Sequence, residues 1–257
     1  MTQLPWPVWL IVVLGVIGLP GLTFAGLWRG SATGPARTTA RYVALAGVLV
    51  WTLWGVTSLL LAHAHVYRLR ADMPNPLIGV AALAAFGVAL ACTRIPAVSR
   101  LLAAPDILWR LTFPQILRVG GVAFVTAYAL GHLPPVFAIP AGFGDIAVGI
   151  EAIFMTRNLR RGTPGRGAVW FNLLGIFDLI VAFTIAFTAA PGRPQILPAT
   201  PTTEILGNLP LVLIPTVMVP MALALHTASL IKIRAAARAA RLAAQPAVLT
   251  GTPAMGV

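Results

Sequence analysis

Residues 136–189 read VFAIPAGFGDIAVGIEAIFMTRNLRRGTPGRGAVWFNLLGIFDLIVAFTIAFTA. Two apolar runs, 136–156 and 167–189, flank a short gap that holds Arg157, Arg160, Arg161 and Arg166. Each run approaches the roughly 20 residues that about 30 Å of hydrocarbon demands of an α-helix. Two such helices joined by an arginine-rich turn are the repeating unit of a protein that crosses a membrane several times, with the basic turns on the cytoplasmic side.

Working outward, five more apolar runs appear at 6–28, 43–66, 77–98, 114–131 and 205–231. Basic residues crowd every second gap. Arg29, Arg37 and Arg41 fill the first, Arg94, Arg100 and Arg110 the third, with Arg118 just beyond it. Lys232, Arg234, Arg238 and Arg241 follow the last run. Only Arg68, Arg70 and Arg193 fall on the other side, so fifteen of the eighteen basic residues share one face. The expected fold is therefore an all-α integral membrane protein, a seven-helix bundle over 1–231 with its N-terminus outside and its C-terminus in the cytoplasm. Residues 232–257 read as a basic helical extension followed, after Pro246, by a disordered cytoplasmic tail.

Composition agrees. The chain of 257 residues is 58% hydrophobic and 9% charged, where a soluble domain carries about 25% charged residues. Its net charge of +12 flanks apolar runs and includes no basic–aromatic stripe clear of them. Anionic headgroups at the cytoplasmic face are the expected partner, and nucleic acid is not. The abundance of Arg, Ala and Pro suggests a GC-rich genome, hence a bacterial inner membrane. Cys92 is the one cysteine, so no intrachain disulfide forms. The first run lacks a basic leader and a small-residue cleavage motif, so it reads as a retained helix. The stretch 99–113 reads as a short amphipathic piece on the cytoplasmic surface.

No nucleophile elbow, phosphate loop, HExxH or dinucleotide fingerprint occurs. The informative residues are instead polar groups inside apolar runs, which cost at least about 2.5–3.5 kcal/mol each when charged at mid-bilayer. Asp145 and Asp178 both fall near the midplane on consecutive helices. Two carboxylates in one dry site do not both ionise easily, so together they form a proton- or cation-binding pair. Pro140, Gly142 and Gly144 just before Asp145 weaken helix there, giving either a break that lines a cavity or a simple proline kink. Arg118 and Glu151 have matching depths and are expected to pair. Asn172 and His226 lie at similar depth, and His132 near the outer mouth, as a supporting polar network. Asp145 and Glu151 stand six residues apart, as do Asn172 and Asp178, so each pair is about 120° apart around its helix. His63, His65, His132 and Glu204 gather at the outer surface without metal-ligand spacing. Lys232, the one lysine, reads as an interfacial anchor. Neither a metal nor a cofactor is expected.

These features lead first to a transporter or channel-like protein. A non-catalytic membrane subunit or scaffold is the second reading, since the small-residue faces of the first three runs suit a homo-oligomer or a partner membrane subunit. An intramembrane metal-dependent enzyme is the third.

Overall fold

The computed structural model describes residues 4–30, 35–72, 75–162, 165–192 and 195–243. Among them every regular element is helical. The order is α1 (Trp6–Trp28), α2 (Pro35–His63), α3 (Leu77–Cys92), α4 (Pro96–Leu102), α5 (Ile107–Thr112), a 3-10 segment (Phe113–Gly121), α6 (Val122–Ala129), α7 (Pro135–Arg161), α8 (Arg166–Thr188) and, after a π-helical turn (Ile214–Met218), α9 (Val219–Ala243). The expected tail after Pro246, and Arg193, lie outside the described residues.

Five helices are long and apolar enough to cross a membrane: α1, α2, α7, α8 and the continuous stretch Ile214–Ala243. A sixth appears if α3 and α4, bent by 82° at their junction, count as one. The run expected over 77–98 breaks there because Ile95 precedes Pro96, whose ring disfavours helix at the residue before it. Ile95 is accordingly extended, with φ −64° and ψ 128°. Large apolar side chains face outward along these helices, Leu49, Leu83 and Phe177 among them. That exterior suits lipid as solvent.

Three expectations need correction. The run 114–131 is not one long α-helix. It is the 3-10 segment followed by α6, with α5 leading into it. Pro114 has no N–H to donate and Gly120-Gly121 holds helix weakly, so this stretch lacks what an α-helix interior needs. Conversely, α7 is not broken at Pro140. It runs unbroken from Pro135 to Arg161, and Pro140, near its start, forfeits only the bond to the Val136 carbonyl. The stretch 99–113 differs too: Ile107, Leu108, Leu111 and Thr112 are buried, and α5 packs against α7 and α9 instead of lying on a surface.

The basic ends of the helices gather together. Arg110 donates from Nη1 to the Gly26 carbonyl at 2.9 Å and from Nε to Asp106 at 2.8 Å. The Arg110 and Arg160 guanidiniums sit 4.3 and 4.5 Å from the centre of the Trp109 ring. Lys232 Nζ donates to the Ala103 carbonyl at 2.5 Å. The opposite ends surround an open cleft of about 1010 Å³ lined by His63, His65, Arg68, His132 and Glu204. Beyond the bundle α9 continues to Ala243 with Arg234, Arg238 and Arg241 exposed.

Candidate functional site

The site begins with the 3-10 segment. Three residues per turn align side chains i and i+3, so Gln115, Arg118 and Gly121 share its buried face. That face lies flush on α7 because glycines meet there. A Cβ on Gly121 would stand 2.6 Å from the Gly142 carbonyl, and one on Gly149 would stand 2.5 Å from the Val119 nitrogen. Gly142, which reads in sequence as weak helix, and Gly149 are close-approach positions in an intact one.

Arg118 is 4% exposed and its guanidinium is the hub. Nε donates to Asp145 Oδ1 at 2.7 Å, and Nη2 donates to Asp178 Oδ2. Nη1 donates to the Gly175 carbonyl at 3.2 Å and lies 3.2 Å from His226 Nε2. A guanidinium only donates, so His226 Nε2 accepts and its Nδ1 carries the proton. Nδ1 then donates to Asn172 Oδ1 at 2.9 Å, and Asn172 Nδ2 donates to the Ala168 carbonyl at 2.7 Å. The chain of bonds thus ties the 3-10 segment, α7, α8 and α9 at one point.

Two glycines make room for it. A Cβ on Gly144 would strike the Asp178 carboxylate, and a Cβ on Gly175 would strike the His226 ring. Asp145 lies ten residues beyond Pro135 and Asp178 twelve beyond Arg166, about 15 and 18 Å along their helices, so both are near mid-depth.

Arg118 does not pair with Glu151. The backbone of Arg118 does stand beside α7 at Gly149, close to the expected depth. Asp145, four residues before Gly149, is on the same stripe of α7, and the long arginine side chain reaches along that stripe. Glu151, two residues after Gly149, is about 200° round the helix and exposed. His132 also stays apart, half-buried in the cleft with His63 and His65. The structure therefore brings together Arg118, Asp145, Asp178, Asn172 and His226, and leaves out Glu151 and His132.

The family described as Domain of unknown function (DUF8737) matches residues 75–234. The chain belongs to this family. The DUF8737 region spans α3 to most of α9 and so contains every residue of the Arg118 cluster, while α1 and α2 precede it. No curated protein and no solved structure matches the chain.

Two small cavities adjoin the cluster and share Asp145 as a wall. One of about 30 Å³ includes Arg118, Leu117 and Met218. The other, about 60 Å³, runs beside Phe137, Phe183 and Leu206. Each has room for one or a few waters. Arg118 takes one oxygen of each carboxylate and leaves the other. Formally, two carboxylates face one guanidinium and a histidine that accepts from it, so one negative charge is uncompensated. Among the described residues no group of three His, Cys, Asp or Glu is placed to hold a metal. The space between the aspartates, where a metal would sit, holds the guanidinium.

Two polar features escaped the sequence reading. Gln115 Nε2 donates to the Ala222 carbonyl at 3.1 Å. Its signal, a spacing of three from Arg118, acquires meaning only on a 3-10 helix. Thr216 accepts from Trp54 Nε1 through its carbonyl at 2.8 Å and from Ser58 Oγ through its hydroxyl at 2.7 Å. The signal there is Pro220, which cannot donate to the carbonyl four residues back.

Proposed function

We propose that this protein is a seven-span transporter or channel-like protein of a bacterial inner membrane, in which Asp145 and Asp178 bind a proton or a monovalent cation at mid-depth. The observation that carries the reading is the shared arginine: one buried guanidinium holds two carboxylates, with one negative charge left over. In hydrocarbon that charge is costly, and one proton or one small cation bound to the free carboxylate oxygens neutralises it. Loading and unloading that cation is the elementary step of coupled transport. The adjoining cavities favour the proton, being too small for a larger solute.

The seven-span count draws support from Ile107–Ala129, whose two α pieces and 3-10 segment extend about 39 Å, enough to cross. The orientation, N-terminus outside, rests on the fifteen basic residues that share one face. In that orientation the cleft holding His132 is the outer mouth, and Arg234, Arg238 and Arg241 meet anionic headgroups at the cytoplasmic face.

The test is proton flux into proteoliposomes carrying a pH-sensitive dye. Asp145→Asn and Asp178→Asn abolish it if the reading holds. Flux and stability unchanged in both variants overturn it. Native mass spectrometry of gently extracted protein separates the subunit reading, which requires a partner chain, from a protein acting alone or as a homo-oligomer.

A further inference from the structure

Among the described residues, six buried side-chain polar atoms have no hydrogen-bond partner within the protein. Two of them, Trp51 Nε1 and Tyr67 Oη, belong to α2 and the turn after it. The other four are Thr112 Oγ1, Gln115 Oε1, Thr156 Oγ1 and Ser229 Oγ. All four sit on the elements that hold Arg118 or lead into them, and each residue is at most 5% exposed.

Their positions are ordered. Gln115 is held through Nε2 on Ala222, one turn before His226, so its free Oε1 adjoins the cluster. Thr112 is three residues earlier, about 6 Å nearer the basic end at the 3-10 rise. Ser229 is three residues past His226, about 4.5 Å nearer the same end. Thr156 is eleven residues past Asp145, on the same face of α7 and about 16 Å further along. The helix α5, which ends at Thr112, packs against both α7, the helix of Thr156, and α9, the helix of Ser229. A buried hydroxyl or amide oxygen without a protein partner costs about 1–3 kcal/mol, and native structures avoid that cost with internal water. Four such atoms, on elements that pack together, are spread from the level of the cluster toward the basic end.

We infer that Gln115, Ser229, Thr112 and Thr156 line a single-file water path that carries protons between the Asp145–Asp178 pair and the basic face. The inference rests on the proton reading of that pair and adds its route: a proton released from a carboxylate passes to the first water, and each water hands one on, so that one proton leaves as hydronium at the basic end.

Two readouts test it, both on the full chain. The first is water access. Ser229→Cys and Thr156→Cys, each in a Cys92→Ser background, are treated with Ag⁺ and read by adduct mass. Both react, whereas Ala152→Cys, buried at 0% in an apolar cluster of α7 and α8, does not. If Ser229→Cys and Thr156→Cys stay as unreactive as Ala152→Cys, the path is dry and the inference falls. The second readout is proton flux. Ser229→Ala removes a hydroxyl that no protein group uses, so folding is kept while flux drops by about tenfold or more. Flux equal to wild type in Ser229→Ala and in Gln115→Leu overturns the path even if Asp145→Asn abolishes transport. A wild-type protein without flux removes the transport reading instead, and unreactive thiols would then remove the path as well.

Discussion

Gly144 and Asp178 occupy one space: a Cβ on Gly144 would fall on the carboxylate that Arg118 holds from the other side. The aspartate approaches α7 only because residue 144 has no side chain. Gly144→Ala therefore pushes Asp178 away from Arg118. The expected cost is about 1–3 kcal/mol, the usual range for overpacking, read as a lower unfolding midpoint in detergent. Flux falls with it. An unchanged midpoint would mean that α7 and α8 do not meet here.

Charge balance predicts an order among variants of the cluster. Arg118→Leu leaves two neighbouring half-buried carboxylates without a counter-ion and costs up to about 3–5 kcal/mol. Asp145→Asn or Asp178→Asn leaves one cation with one anion and costs less. Arg118→Lys falls between them, because an ammonium does not fork to two carboxylates on different helices. Chemical or thermal unfolding of the four variants checks the order, and Asp178→Asn as damaging as Arg118→Leu would contradict it.

Trp54 and Pro220 are coupled through Thr216. Trp54→Phe leaves the Thr216 carbonyl without the indole donor and costs about 1–3 kcal/mol. Pro220→Ala supplies a backbone N–H four residues on, so Trp54→Phe in that background costs less. A double-mutant cycle on unfolding free energy measures the difference. Additive effects would show that Pro220 does not create the need for Trp54.

The exposed arginines of the α9 extension predict lipid dependence. Replacing Arg234, Arg238 and Arg241 with Gln weakens retention of anionic lipid by about 1 kcal/mol for each residue. Native mass spectrometry with bound phosphatidylglycerol reads this directly. Equal retention by the triple variant would place the lipid contact elsewhere.

Orientation is tested by single cysteines in a Cys92→Ser background. Thr202→Cys and Arg238→Cys should react with a membrane-impermeant maleimide from opposite sides of intact cells and inverted vesicles. Reaction from the same side would refute the seven-span arrangement.

Much of this was legible in the chain. Hydropathy marks α1, α2, α7, α8 and the stretch that ends in α9, each long and apolar enough to cross a membrane. Rarity in apolar surroundings marks Arg118, Asp145, Asp178, Asn172 and His226. What hydropathy does not encode is which neighbour each polar group meets. Matching Arg118 to Glu151 by depth came close, since the Arg118 backbone stands beside Gly149, two residues before Glu151, but the phase of α7 turns Glu151 outward and Asp145 inward. Pro140, Gly142 and Gly144 carry the same residue signal whether a helix breaks or is closely approached. Only the packing partner, the 3-10 segment with its own Gly121, tells the two apart.

One guanidinium bonded to two helices, and through His226 to a third, has a mechanical consequence. A slide of α7 against α8 by a single turn would pull an aspartate out of reach of Arg118. The 3-10 segment, α7, α8 and α9 are in effect bolted together at the centre of the bundle. Any rocking of the bundle has to take place at joints outside that block. Polar joints of that kind include those where Trp54 and Ser58 of α2 meet Thr216, where Arg110 meets the end of α1 at Gly26, and where Lys232 meets the Ala103 carbonyl.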